Sequence, residues 1–215
     1  MSLLSRVLAW QNKLPPADTY AVTHARDLAI PMPDGAVLLA DRYYPSRGGS
    51  LPTVLIRSPY GRRTMTFDAV ARLFAERGFQ VLIQSCRGTF GSGGKVFPFK
   101  DDRTDGLATL AWLKQQSWYS GEFAMFGPSY LGYVQWAVAD DAGPDLKALI
   151  PVVTAAEFRR VTAPGDTLAL DTLVTFVQSM TFQEEPPWPV PKGSAAWPRR
   201  SCTCPSMKPT AWPPA

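Results

Sequence analysis

Phe123-Ala124-Met125-Phe126-Gly127-Pro128-Ser129-Tyr130-Leu131-Gly132 is the stretch on which the reading of this chain turns. Its apolar start reads as a short strand, its centre is a serine flanked by glycines, and a helical pattern runs from Tyr130 through Ala139. Strand, sharp turn and helix follow one another with no linker. A serine on such a turn points its hydroxyl out over the end of a sheet, and the close approach of the two backbones admits only small flanking residues. The plainer reading is a helix-capping serine. A cap, however, would not need Gly127 and Gly132, so Ser129 stands as a candidate nucleophile.

The segments before this turn alternate in the same way. Leu28-Ala29-Ile30 and Val37 to Tyr44 are separated by Pro33-Asp34-Gly35, which predicts an antiparallel hairpin. Thr53-Val54-Leu55-Ile56 and Phe79 to Ile83 are continuously apolar strands, and Phe67, Val70, Ala71 and Phe74 fall at helical spacing between them. Leu107, Leu110, Ala111 and Lys114 mark a further helix, and Leu146 to Ile150 a strand after the serine. Strands without polar alternation are buried on both faces by the helices between them. The expected fold class is α/β: a mostly parallel, doubly covered sheet entered through an antiparallel N-terminal hairpin. Ligands of such sheets lie beyond the carboxyl ends of the strands, where Ser129, Tyr60 and the Arg87-Gly88 turn fall.

Residues 1–24 read as a lead-in whose helix is stopped by Pro15-Pro16. Leu168, Leu170, Leu173, Val174 and Val177 predict one more helix, and from Glu184 onward prolines and tryptophans alternate so densely that an irregular or disordered tail is expected over 184–215.

The 215 residues carry 22 Lys+Arg against 18 Asp+Glu, a mild net charge of +4 with the basic residues scattered, so a nucleic-acid surface is not expected. No apolar window is long enough to span a membrane, the N-terminus lacks a signal-peptide pattern, and a cytoplasmic location is the expectation. Cys86, Cys202 and Cys204 form neither a disulfide framework nor a metal site, and the Gly91-Ser92-Gly93-Gly94 run fits no nucleotide fingerprint and reads as a structural turn. Neither cofactor nor metal is expected.

Arg57-Ser58-Pro59-Tyr60-Gly61, Gln84-Ser85-Cys86-Arg87-Gly88, Phe97-Pro98-Phe99, Asp105-Gly106, Trp112-Leu113 and Gly127 to Gly132, with Gln135-Trp136 after it, occur together and in order. In this the chain resembles the cocaine esterase and X-Pro dipeptidyl-peptidase family of serine hydrolases (CocE/NonD, S15-like), over about Asp27 to Arg160. The resemblance implies the N-terminal part of an α/β-hydrolase domain over 25–160, the start of a helical cap over 161–183, and acyl transfer to water through a serine ester. Carried over residue by residue, Ser129 matches the nucleophile, the backbone N–H of Tyr130 one oxyanion donor, and the phenol of Tyr60 the second. Small esters or short X-Pro peptides are the implied substrates.

One half of the family pattern is missing. Its acid and histidine follow the serine, yet no histidine follows Ser129, and the sole histidine, His24, precedes the first hairpin, against the chain order serine, acid, histidine. Asp140, Asp141, Asp145, Asp166 and Asp171 read as solvated surface carboxylates. The sequence therefore reads as a truncated or frameshifted hydrolase, weakly active or inactive. The alternatives are a catalytically dead α/β-hydrolase-like binding module and a split enzyme completed by a partner. A sheet ending at Leu146 to Ile150 leaves an exposed edge, a route to self-association.

Overall fold

The computed structural model describes residues 3–157, 162–163, 165 and 167–184, so the expectation for the tail lies, beyond Glu184, outside the described residues. Helix α1 (Leu3–Gln11) precedes a six-stranded sheet of β1 (Val22–Pro31), β2 (Val37–Pro45), β3 (Leu51–Ser58), β4 (Gln80–Ser85), β5 (Tyr119–Pro128) and β6 (Leu146–Val152). Between and after the strands lie α2 (Met65–Ala75), α3 (Asp102–Lys114), α4 (Tyr130–Trp136) and α5 (Leu170–Phe182). The strand order is β1-β2-β4-β3-β5-β6. β1/β2 and β2/β4 run antiparallel; β3/β4, β3/β5 and β5/β6 run parallel. This is the mostly parallel sheet with an antiparallel entry that the sequence predicts.

Burial on both faces explains the apolar runs. Leu55, Leu82, Phe123 and Met125 face Leu110 and Leu113 of α3, whereas Val54, Ile56, Val81 and Ile83 face Ala71 of α2 and Leu131 of α4. Alternate residues of one strand thus enter opposite cores, and neither face has room for a polar stripe. α2 begins at Thr64, whose hydroxyl accepts the Phe67 N–H at 3.2 Å.

Two sequence expectations need correction. β1 starts at Val22 rather than at Leu28, because Thr23, His24 and Ala25 pair with Tyr44, Tyr43 and Arg42 on an exposed edge where an apolar run is not required. Helix α4 stops at Trp136 and continues only as turns toward Ala139. β6 has the exposed edge expected of it: it is the last strand of the sheet among the described residues, and Ile150 and Val152 remain about 40% exposed. Its open side is blunted by sequence. Ile150 and Val152 direct their backbone groups toward Gln135 and Ser129, which turns Pro151, with no N–H to give, to the free edge.

At the opposite edge a β-bulge between Ala25 and Leu28 places Asp27 at φ 54°, beside the buried Asp41. Burial alone would push the Asp41 carboxyl up, but hydrogen bonds from Arg63, from the Asp27 N–H and from Arg62 hold it below the ordinary value of 3.8. A carboxyl depressed by the fold stabilises it above that value and loses the contribution as pH falls through the folded value. Asp41→Asn is therefore expected to cost about 2 kcal/mol at pH 7. The gap to wild type in urea unfolding should shrink as pH falls below 3.8; a gap independent of pH would contradict this.

Candidate active site

Ser129 occupies the junction of β5 and α4 with φ 56° and ψ −123°, a left-handed φ that a serine adopts only when its surroundings impose it. Three constraints impose it. The Ser129 N–H donates to the Val152 carbonyl at 2.9 Å, and the Ser129 carbonyl accepts the N–H groups of Gly132 and Tyr133 at 2.9 and 3.2 Å. Gly127 and Gly132 let the helix close on the strand: a Cβ at Gly127 would lie 2.4 Å from Leu131 Cβ, and one at Gly132 would lie 2.6 Å from Thr154 Cγ2. Gln135, fully buried, then locks the turn by donating from Nε2 to the Leu131 carbonyl at 3.0 Å and to those of Gly127 and Ile150 at 3.3 Å. Its Oε1 accepts the Ile150 N–H at 2.9 Å. The Ser129 side chain makes no capping bond and is exposed, which disfavours the capping reading.

Because β3 lies beside β5, the residue that leaves β3 comes to the serine. Tyr60 is half-buried; burial pushes its phenol pKa up, opposed in part by the Ser129 side chain. Tyr60 is held through its N–H on Ser58 Oγ at 3.0 Å, and the preceding carbonyl, that of Pro59, accepts from Gln183 Nε2 at 2.6 Å.

Tyr130 is the first residue of α4, where a backbone N–H has no intrahelical acceptor. Its side chain is buried in another direction. The phenol donates to Asp102 Oδ2 at 2.5 Å and accepts the Phe99 N–H at 3.0 Å, while the ring stacks with Phe99 and Phe176 at centroid distances of 5.0 and 6.3 Å. Burial, then the Asp102 charge, drives the Tyr130 phenol well above its usual range, and burial raises the Asp102 carboxyl against the opposing charge of Arg57. Cys86, just after β4, packs against Tyr130, Val134 and Met180; its burial raises the thiol and leaves it inert.

The sequence-derived trio of Ser129, Tyr60 and Tyr130 is thus brought to one end of the sheet. His24 is not. It sits on β1, four strands from β5, roughly 19 Å at the usual strand spacing, with its ring 5.8 Å from that of Tyr43. Asp141 pairs with Arg103, and Asp145 accepts from Tyr119 at 3.2 Å, away from the serine; Asp166 lies outside the described residues. The Arg87-Gly88 turn is structural: Arg87 bridges Asp34 and Asp105, and Ser92 Oγ accepts the Leu39 N–H. Among the described residues no group of three or more His, Cys, Asp or Glu side chains is placed to hold a metal ion. Sequence reasoning missed Asp102 and the role of Gln135; two aspartates ahead of a helical run carry no local signal beyond an ordinary helix start.

The model of the X-Pro dipeptidyl-peptidase (S15) family matches residues 34–208. The chain belongs to that family. The chain is also 36% identical over 160 residues to the cocaine esterase of Rhodococcus sp. (strain MB1 Bresler), a match covering 70% of this chain and 27% of the esterase. Among solved structures, a CocE/NonD family hydrolase from Staphylococcus aureus superposes with a TM-score of 0.59 at 23% identity, covering 71% of this chain and 33% of that one. An α-amino acid ester hydrolase gives a TM-score of 0.53 at 26% identity, covering 65% and 27%. The S15 chain described here thus spans about a third or less of the length of these relatives. These likenesses agree on an α/β-hydrolase fold and a hydrolase family. No helix among the described residues is long and apolar enough to cross a membrane.

Proposed function

We propose that Ser129 is the nucleophile of an acyl transfer from esters or X-Pro-type peptides to water. Its oxygen attacks the acyl carbon as its proton passes to solvent base, the alcohol or amine leaves carrying a proton from solvent, and water then cleaves the seryl ester to release the acid and restore the hydroxyl. The phenol of Tyr60 and the backbone N–H of Tyr130 donate to the oxyanion. The observation that carries this reading is the strand-to-helix turn that holds an exposed Ser129 at φ 56°, beside the end of the neighbouring strand β3 that leads to Tyr60. Substrate class follows from the cocaine esterase relative and the X-Pro dipeptidyl-peptidase family.

A serine hydroxyl needs a base, and the one histidine of the sequence is far from it. Turnover by this chain alone is expected to be weak, since in the serine protease subtilisin removal of the base costs about 10⁶-fold in kcat. The same observation favours a second reading, a catalytically silent module that binds without turnover.

A fluorophosphonate probe separates the two. Ser129 Oγ bonds to phosphorus, fluoride leaves, and the seryl proton passes to solvent base. The expected result is slow labelling at Ser129, none in Ser129→Ala, and a rate about 10²-fold lower in Tyr60→Phe, as for loss of one oxyanion donor. A folded protein that takes no label would favour the silent module.

A further inference from the structure

We propose that Asp102 is a positioning residue for the Ser129 site, tying the elements that carry both oxyanion donors to one point at the start of α3. This rests on the reading of Ser129, Tyr60 and Tyr130 given above. Asp102 is buried, at 6% exposure, and uses its two polar ends in different directions. Its carboxylate accepts the Tyr130 phenol at 2.5 Å, so it holds the residue whose N–H follows Ser129. Its carbonyl accepts Arg57 Nη1 at 2.7 Å, and Arg57, 1% exposed, lies three residues before Tyr60 on the same chain end of β3. Arg57 is anchored in turn by Nε on Gln84 Oε1 at 2.9 Å, and Gln84 Nε2 reaches Thr109 of α3 at 2.7 Å.

The phenol–carboxylate bond is not needed to start the helix. Asp101 is the capping residue of α3 and makes no side-chain capping bond, while the Asp102 carboxylate accepts from the Tyr130 phenol. Nor is it needed to bury the Tyr130 ring, which Phe99 and Phe176 already cover. What the bond adds is a fixed orientation for the first residue of α4, set relative to the strand that delivers Tyr60. A displaced donor is costly: misplacement by about 1 Å costs on the order of 10²-fold in rate.

The test compares the fluorophosphonate labelling rate of Ser129 and the urea midpoint in wild type, Tyr130→Phe, Asp102→Ala, Asp102→Asn and Ile30→Val. Tyr130→Phe and Asp102→Ala are expected to label about tenfold or more slowly, and the double variant no more slowly than the slower single one. Asp102→Asn keeps an acceptor oxygen and should stay within about threefold of wild type. Ile30→Val trims the core far from the site and should lose stability with no change in labelling rate. Should Asp102→Ala fail to fold, Tyr130→Phe, which keeps the ring and the backbone, carries the test. Wild-type rates in both Tyr130→Phe and Asp102→Ala, or an Asp102→Asn as slow as Asp102→Ala, would overturn the positioning role alone. A wild type that takes no label would overturn the reading of Ser129, and this proposal with it.

Discussion

Gly127→Ala is expected to lose about 3–5 kcal/mol of stability, the sum of a left-handed backbone strain and an overpacked contact. Gly127 stands at φ 151°, and the added methyl would meet Leu131 Cβ at 2.4 Å and Cδ2 at 2.8 Å. The nearer atom is a β-carbon fixed to the helix backbone, so no rotamer change relieves it. The strand and helix must part, and Ser129 sits where they join. Against a typical total stability of about 5–15 kcal/mol such a loss is a large fraction. Urea unfolding should show a strongly lowered midpoint, with slower labelling of Ser129 under native conditions. A variant within about 1 kcal/mol of wild type would mean that the turn tolerates side chains and is not the constrained junction described.

Gln135→Leu is expected to be nearly as damaging. Leucine fills a similar volume but leaves the Ile150 N–H and the carbonyls of Ile150 and Gly127 without the partners Gln135 gives them. Leaving such buried or part-buried groups unpaired is expected to cost about 2–4 kcal/mol. The loss should be visible as faster hydrogen exchange at the Ile150 amide, which Gln135 Oε1 holds at 2.9 Å. Unchanged exchange there, together with an unchanged urea midpoint, would show that the ladder between β5 and β6 closes without the side chain.

Much of this architecture was legible because burial writes itself into local pattern. Val54 to Ile56 and Val81 to Ile83 are apolar on consecutive positions since both faces of β3 and β4 meet a core. Pro33-Asp34-Gly35 announced the hairpin through a turn that needs φ 86° at Gly35. Ser129 was legible through its two glycines, each required by a close contact. Less could be read where the cause is long-range. The first half of β1 pairs with β2 on an exposed edge, so Thr23 and His24 carry no apolar signal. Asp102 gains its place from Tyr130 and Arg57, 28 and 45 residues away, and no local window contains such a relation.

The proposed chemistry makes a geometric demand: the oxygen that develops negative charge on an acyl group at Ser129 must meet the Tyr60 phenol and the Tyr130 N–H together. A crystal structure of the protein phosphonylated at Ser129 tests it most directly. The phosphoryl oxygen is expected about 2.7–3.1 Å from both Tyr60 Oη and Tyr130 N. A phosphoryl oxygen turned to solvent, with Tyr60 packed away from it, would contradict this arrangement.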